Sequence, residues 1–113
     1  MSDATTPVAA HKAAIRAFAA ARGWEPYHSP KNLVMALASE VGELCAEFRW
    51  LTPDESRAVA ADPKLREAVA DELADIANII FLLSEHTGID LSDAIRAKMA
   101  KNAIKYPVPE KTS

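Results

Sequence analysis

Cysteine is nearly absent from this chain. Cys45 stands alone, which excludes an internal disulfide and fits a reducing compartment. Its setting, Glu43-Leu44-Cys45-Ala46, predicts a small packing residue rather than a reactive thiol. No excess of basic charge exists either: 13 Lys and Arg against 16 Asp and Glu give a formal charge of −3. Nucleic-acid binding calls for a basic patch or stripe, so that function class is excluded. No apolar run approaches the ~20 residues needed to cross a bilayer, and membrane insertion is excluded with it. The stretch Met1 to Thr6 is polar and lacks both a basic n-region and a long apolar h-region, so no signal peptide is read. A soluble, cytoplasmic protein is the expectation. Alternating strand patterns, repeats and low-complexity tracts beyond alanine enrichment are missing as well.

What remains is helical. The 113 residues suffice for one domain, and half of them are hydrophobic, enough for a modest core. Residues 1–7 are expected to be a flexible leader, 8–106 an all-α domain and 107–113 a flexible tail. The first helix runs from about Val8 to Arg22, with Gly23 as its stop. Ser29 followed by Pro30 predicts a cap and first turn, opening a helix to Trp50 or Leu51. Its apolar stripe is Leu33, Leu37, Val41, Leu44 and Phe48. Thr52-Pro53 and Asp62-Pro63 repeat the cap-then-proline signature. They predict a short helix over Pro53 to Ala61 and a long one from Pro63 to His86 or Thr87, closed by Gly88. The long helix has Leu65, Val69, Ile76, Ile80 and Leu83 as its core stripe. Asp90 or Ser92 caps a last helix over about Leu91 to Lys105, with Ile95, Met99 and Ile104 predicted to face inward. The fold class is therefore all-α, a four-helix bundle-like arrangement with a short extra helix.

Two segments carry the chemistry, Glu40-Val41-Gly42-Glu43 and Glu72-Leu73-Ala74-Asp75. Acids at i and i+3 share one helix face, where like charges oppose each other and sit beside apolar surface at some cost. A divalent cation would offset that cost. A set of oxygen donors selects hard ions, Mg²⁺ or Mn²⁺, and Mg²⁺ commonly bridges to substrate phosphates. Neither acid-bearing helix carries a Glu-x-x-His motif, which argues against a di-iron centre; Glu25-Pro26-Tyr27-His28 lies in the proline-bounded loop. A solvated acidic stripe explains either pair alone; on spacing, stripe and metal site both stay open.

Two further groups of residues accompany the acids. Trp24 lies in a polar loop and Trp50 ends the acidic helix, each either core or a platform for stacking a nucleobase. His28 and Asn32 lie between them, as base-edge partners or turn caps. Near the C-terminus, Lys98, Asn102 and Lys105 fall at i, i+4 and i+7 on one face that can engage phosphates. Lys101 is covered by the helix dipole alone.

The two acid pairs, Glu-x-x-Glu and Glu-x-x-Asp with 28 residues between them, resemble the MazG-like all-α nucleoside triphosphate pyrophosphohydrolases. Within that family the dCTP pyrophosphatase branch is similar in five blocks, spread from about Ala14 to Pro107. These are Trp24-Glu25-Pro26-Tyr27-His28-Ser29-Pro30-Lys31-Asn32-Leu33, Glu40-Val41-Gly42-Glu43-Leu44, Phe48-Arg49-Trp50, Asp71-Glu72-Leu73-Ala74-Asp75-Ile76, and Lys98-Met99 through Asn102 to Lys105-Tyr106-Pro107. The resemblance implies hydrolysis of a (deoxy)nucleoside triphosphate between the α and β phosphates, giving monophosphate and pyrophosphate. It implies Mg²⁺ on Glu40, Glu43, Glu72 and Asp75, which are then the catalytic and metal residues. The implied substrate contacts are Trp24, His28, Lys31, Asn32, Trp50, Lys98, Asn102, Lys105 and Tyr106. It also implies a homodimer or homotetramer whose sites draw on more than one subunit.

The sequence departs from the branch at three places. Ile79 stands where a tyrosine is common, Ile15 where some relatives carry a histidine, and Ala46 where an acid is frequent, with Glu47 one place on. The first two bear on base preference more than on the reaction. The leading expectation is a pyrophosphohydrolase of dCTP or a modified pyrimidine nucleotide. The alternatives are the same reaction on dUTP or an oxidised nucleotide, and a non-catalytic helical oligomerisation or partner-binding module.

Overall fold

A computed structural model describes residues 1–110 of the chain. Among these residues there is no strand, and five α-helices follow one another: α1 (Val8–Ala21), α2 (Pro30–Phe48), α3 (Pro53–Arg57), α4 (Pro63–Thr87) and α5 (Leu91–Lys105). Single 3₁₀ turns at Glu25–Tyr27 and Val59–Ala61 join α1 to α2 and α3 to α4. The predicted short helix over Pro53 to Ala61 is thus an α-helical turn and a 3₁₀ turn in succession.

The caps are those the sequence predicts. Ser29 Oγ accepts from the Asn32 backbone N–H (3.1 Å) and Asp62 Oδ1 from that of Leu65 (3.2 Å). Asp90 Oδ1 accepts from the Asp93 N–H (2.9 Å), so Asp90 rather than Ser92 caps α5. Thr52 and Glu55 form a reciprocal capping box, each side chain satisfying the other's backbone N–H. Gly88 ends α4 at φ +67°, a left-handed conformation that glycine adopts without steric cost. Just before it, the Ser84 hydroxyl donates to the Ile89 carbonyl and ties the turn to the helix. The leader also has local order: the Thr5 and Thr6 N–H groups both donate to the Ser2 carbonyl.

Packing centres on α2 against α4, with α1 laid on α4 as the third member. Leu33, Ala19 and Leu82, one from each of these three helices, are buried. The α2 and α4 stripes are mostly half-buried; Val41 remains 42% exposed. Cys45, predicted to pack, is exposed.

The last helix departs most from expectation. Ile95, Met99 and Ile104 were predicted to face inward, yet they are 52%, 67% and 84% exposed. Every residue of α5 except Leu91 and Asn102 is exposed, because the helix leaves the three-helix core and packs closely on no other helix among the described residues. The chain is accordingly extended, 60 × 37 × 30 Å, with a radius of gyration of 17.5 Å. A compact domain of this length has a radius near 13 Å. Its accessible surface of 8807 Å² likewise exceeds the roughly 6,100 Å² of a compact monomer of this mass. No helix among the described residues is long and apolar enough to cross a membrane.

Candidate active site

The α2–α4 seam holds the acids. Glu40, Glu43 and Glu72 each bring a carboxylate oxygen into a cluster whose members all lie within 4.8 Å of one another. Glu40 and Glu72 are half-buried, as edge positions of an apolar stripe should be, and Glu43 is exposed. Glu40 Oε2 and Glu72 Oε2 are closed off from solvent without any hydrogen-bond partner. No cation among the described residues relieves them: the ion pairs there join Lys12 and Arg16 to Glu85, and Arg57 to Asp54.

Crowded carboxylates in this setting hold on to protons. Loss of solvent, and then the neighbouring Glu40 and Glu43, push Glu72 up to about 7. For Glu40, the adjacent Glu72 favours ionisation, but burial, Glu43 and the charge of Asp75 outweigh it, and its pKa is raised as well. The cluster therefore shares protons where a cation would serve better. Its all-oxygen donor set and its two unpartnered oxygens fit a hard divalent ion.

Beside the acids opens a cleft of about 720 Å³, walled by α1, the first 3₁₀ turn, α2 and α4. This is within the ~300–1,000 Å³ of small-molecule sites. Glu40 and Asp75 line it, and the rest of its wall is largely apolar. Gly23 at φ +66° reverses the chain after α1, with Trp24 N–H returning to the Ala19 carbonyl at 3.0 Å. That turn brings the Trp24 ring edge-on to Phe18 (5.7 Å between centroids) and to His28 (6.3 Å). Asn32 is fixed by its own amide, which donates to the Tyr27 carbonyl at 2.9 Å. His28 Nδ1 is buried and unpartnered.

The sequence candidates therefore divide. Glu40, Asp75, Trp24, His28 and Asn32 line the cleft, while Glu43 and Glu72 join Glu40 in the acid cluster. Lys31, Trp50, Lys98, Asn102, Lys105 and Tyr106 are not among the cleft's lining residues. Trp50 is 84% exposed, with the Arg49 guanidinium 5.5 Å from its ring centroid. Glu47 is half-buried and forms no ion pair among the described residues. His11 and Asn78 were not singled out from the sequence, yet both line the cleft. His11 lies one turn before Ile15, and Asn78 lies at i+3 from Asp75. That spacing was the available signal. Ile15 and Ile79, the two departures noted above, line the cleft as well.

The arrangement has known counterparts. The profile of the MazG-like family matches residues 35–113. The chain belongs to the MazG-like family. It is 42% identical over 91 residues to dCTP pyrophosphatase 1 of Bos taurus, covering 80% of this chain and 54% of that protein. To dCTP pyrophosphatase 1 of Homo sapiens it is 40% identical over 90 residues, 80% of this chain and 53% of that one. The chain thus spans about half the length of these mammalian relatives. Among solved structures, the crystal structure of a pyrophosphatase from Archaeoglobus fulgidus superposes with a TM-score of 0.77 at 36% identity, covering 83% of this chain and 86% of that chain. The solved pyrophosphatase thus shares the overall fold on which the acid cluster and cleft of this chain are built.

The raised Glu72 pKa sets a pH dependence. Between its ordinary value of 4.5 and about 7, folded Glu72 keeps a proton that the unfolded chain has lost. The resulting stabilisation is complete below that window and is lost as pH rises through it. The melting temperature of the metal-free protein should therefore decline across the window, and Glu72→Gln, which cannot titrate, should flatten the decline. An undiminished slope in the variant would contradict the shared-proton description.

Proposed function

We propose that this MazG-like chain hydrolyses a deoxynucleoside triphosphate, dCTP or a modified pyrimidine nucleotide, between its α and β phosphates. Water adds across the anhydride, and the products are a nucleoside monophosphate and pyrophosphate. The observation that carries the reading is the acid cluster beside a nucleotide-sized cleft, with two solvent-denied oxygens lacking partners. Identity of about 40% to proteins named dCTP pyrophosphatase 1 supports the substrate class.

Glu40, Glu43, Glu72 and Asp75 are the residues that would hold Mg²⁺, with Mn²⁺ as a substitute of similar hardness. When bound, such an ion neutralises phosphoryl charge and lowers the pKa of the attacking water. The chain's own residues do the positioning. Trp24, steadied by Phe18 and His28, offers a π face for the base, and stacking of this kind is worth ~1–3 kcal/mol. Asn32 and His28 supply polar groups within the same cleft.

The remaining substrate contacts suggest an assembly. We infer a homodimer or homotetramer in which Trp50 and the Lys98, Asn102, Lys105 and Tyr106 face meet a site formed largely by another copy; Lys31 stands in the first turn of α2, next to Asn32. Three facts support this: the projecting α5, its exposed Ile95, Met99 and Ile104, and a surface well above that of a compact monomer. Light scattering should give a mass at least twice 12.2 kDa, and Met99→Glu should move it toward the monomer. A monodisperse monomer would overturn the assembly.

The reaction is tested by product analysis over the common deoxynucleoside triphosphates, dUTP and oxidised nucleotides, with Mg²⁺ or with EDTA. Monophosphate and pyrophosphate should form from the preferred nucleotide only with Mg²⁺. Glu43→Gln, near-identical in shape but uncharged, should lower turnover about a hundred-fold or more. Persistence of turnover in EDTA, or in that variant at limiting Mg²⁺, would remove the metal assignment. No cleavage of any nucleotide would favour a non-catalytic oligomerisation or partner-binding module.

A further inference from the structure

The cleft holds two carboxamides, and they differ in what they have left to offer. The Asn32 amide nitrogen is engaged with the Tyr27 carbonyl at 2.9 Å. Asn78 is half-buried in the cleft wall, and its carboxamide forms no hydrogen bond with any described residue. The same wall carries the apolar side chains of Ile15 and Ile79, with His11 as the other polar group from α1. The Asn78 amide N–H and carbonyl are therefore available to whatever partner occupies the cleft, as one donor and one acceptor side by side.

Its position says what that partner is. Asn78 follows Asp75 by three residues on the same face of α4, about 4.5 Å further along the helix axis. A nucleotide whose phosphates lie at the acid cluster would extend its base into the apolar part of the cleft, past Asp75 and against Asn78. A carboxamide presents a donor and an acceptor side by side and so pairs bidentately with the edge of a base.

We propose that Asn78 reads the hydrogen-bonding edge of the bound nucleobase and sets which nucleotide this site prefers. The proposal rests on the reading of the cleft as a nucleotide site. The best-matched edge is an amino group beside a ring nitrogen, as cytosine presents: the amide oxygen accepts from the amino group and the amide N–H donates to the ring nitrogen. A site that pairs its amide with such an edge disfavours ligands unable to complete the pair, because binding them covers its polar atoms without a partner.

The test compares kcat/KM across the deoxynucleoside triphosphates for the wild type, Asn78→Leu and Asn78→Asp. Inhibition by inorganic tripolyphosphate, which has no base, is measured alongside. Asn78→Leu should reduce the ratio between the best and worst nucleotide about ten-fold or more, chiefly through KM for the best one. Asn78→Asp keeps the size but loses the N–H donor, and should likewise weaken the nucleotide whose ring nitrogen accepts. Tripolyphosphate inhibition should stay within about two-fold in Asn78→Leu, the uncharged variant on which this control is read, since no phosphate contact is altered. A uniform loss on every nucleotide, or a parallel loss of tripolyphosphate inhibition in Asn78→Leu, would make Asn78 a structural residue and overturn the proposal. If the wild type cleaves nothing, the hydrolase reading fails separately. The same ratio is then read from dissociation constants of nucleoside monophosphates by Trp24 fluorescence: selectivity lost in Asn78→Leu supports the proposal, and selectivity unchanged or absent throughout overturns it.

Discussion

Three carboxylates held within 4.8 Å of one another are the constraint to which the rest of the structure answers. Like charges so close, two of them half-buried, oppose the pairing of α2 with α4 that forms the centre of the fold. Burial of the facing stripes provides the offsetting gain, and shared protons relieve part of the repulsion, as the rise of Glu72 to about 7 records. The seam is thus built for apolar contact along its length, interrupted at one place by crowded acids whose oxygens suit an ion. A chain selected for stability alone would place neutral residues there. The cleft beside the acids then gains its purpose from them, since its apolar wall ends at Glu40 and Asp75.

Much of this was legible in the sequence, for reasons that are local. Helix boundaries followed from Ser29-Pro30, Thr52-Pro53 and Asp62-Pro63, each a side-chain oxygen capping a turn whose first N–H is missing anyway. Gly23 and Gly88 closed α1 and α4 because only their backbones reach positive φ without strain. The i, i+3 acids at the border of apolar stripes marked the site, since helical periodicity fixes which face they share.

What the sequence withheld was relation between distant segments. The apolar stripe of α5 reads identically whether its partner is the same chain or another one, so Ile95, Met99 and Ile104 were assigned to a core from which the structure excludes them. Cys45 was misread for a similar reason: small residues border packed and exposed faces alike. His11 and Asn78 share helix faces with Ile15 and Asp75, but that spacing alone does not place them in a cleft; their meeting depends on how α1 and α4 pack. Asp75 shows a finer limit. It shares a face with Glu72, yet lines the cleft while the three glutamates form the tight cluster.

If the acid cluster is an ion site in which protons stand in for a cation, ion binding must expel them. Isothermal calorimetry of Mg²⁺ binding in buffers of different ionisation enthalpy measures that exchange directly. At about pH 6, below the raised Glu72 value, each site should release close to one proton, and at about pH 8 close to none. Binding without proton release at the lower pH, or no binding at either, would contradict the account at its centre.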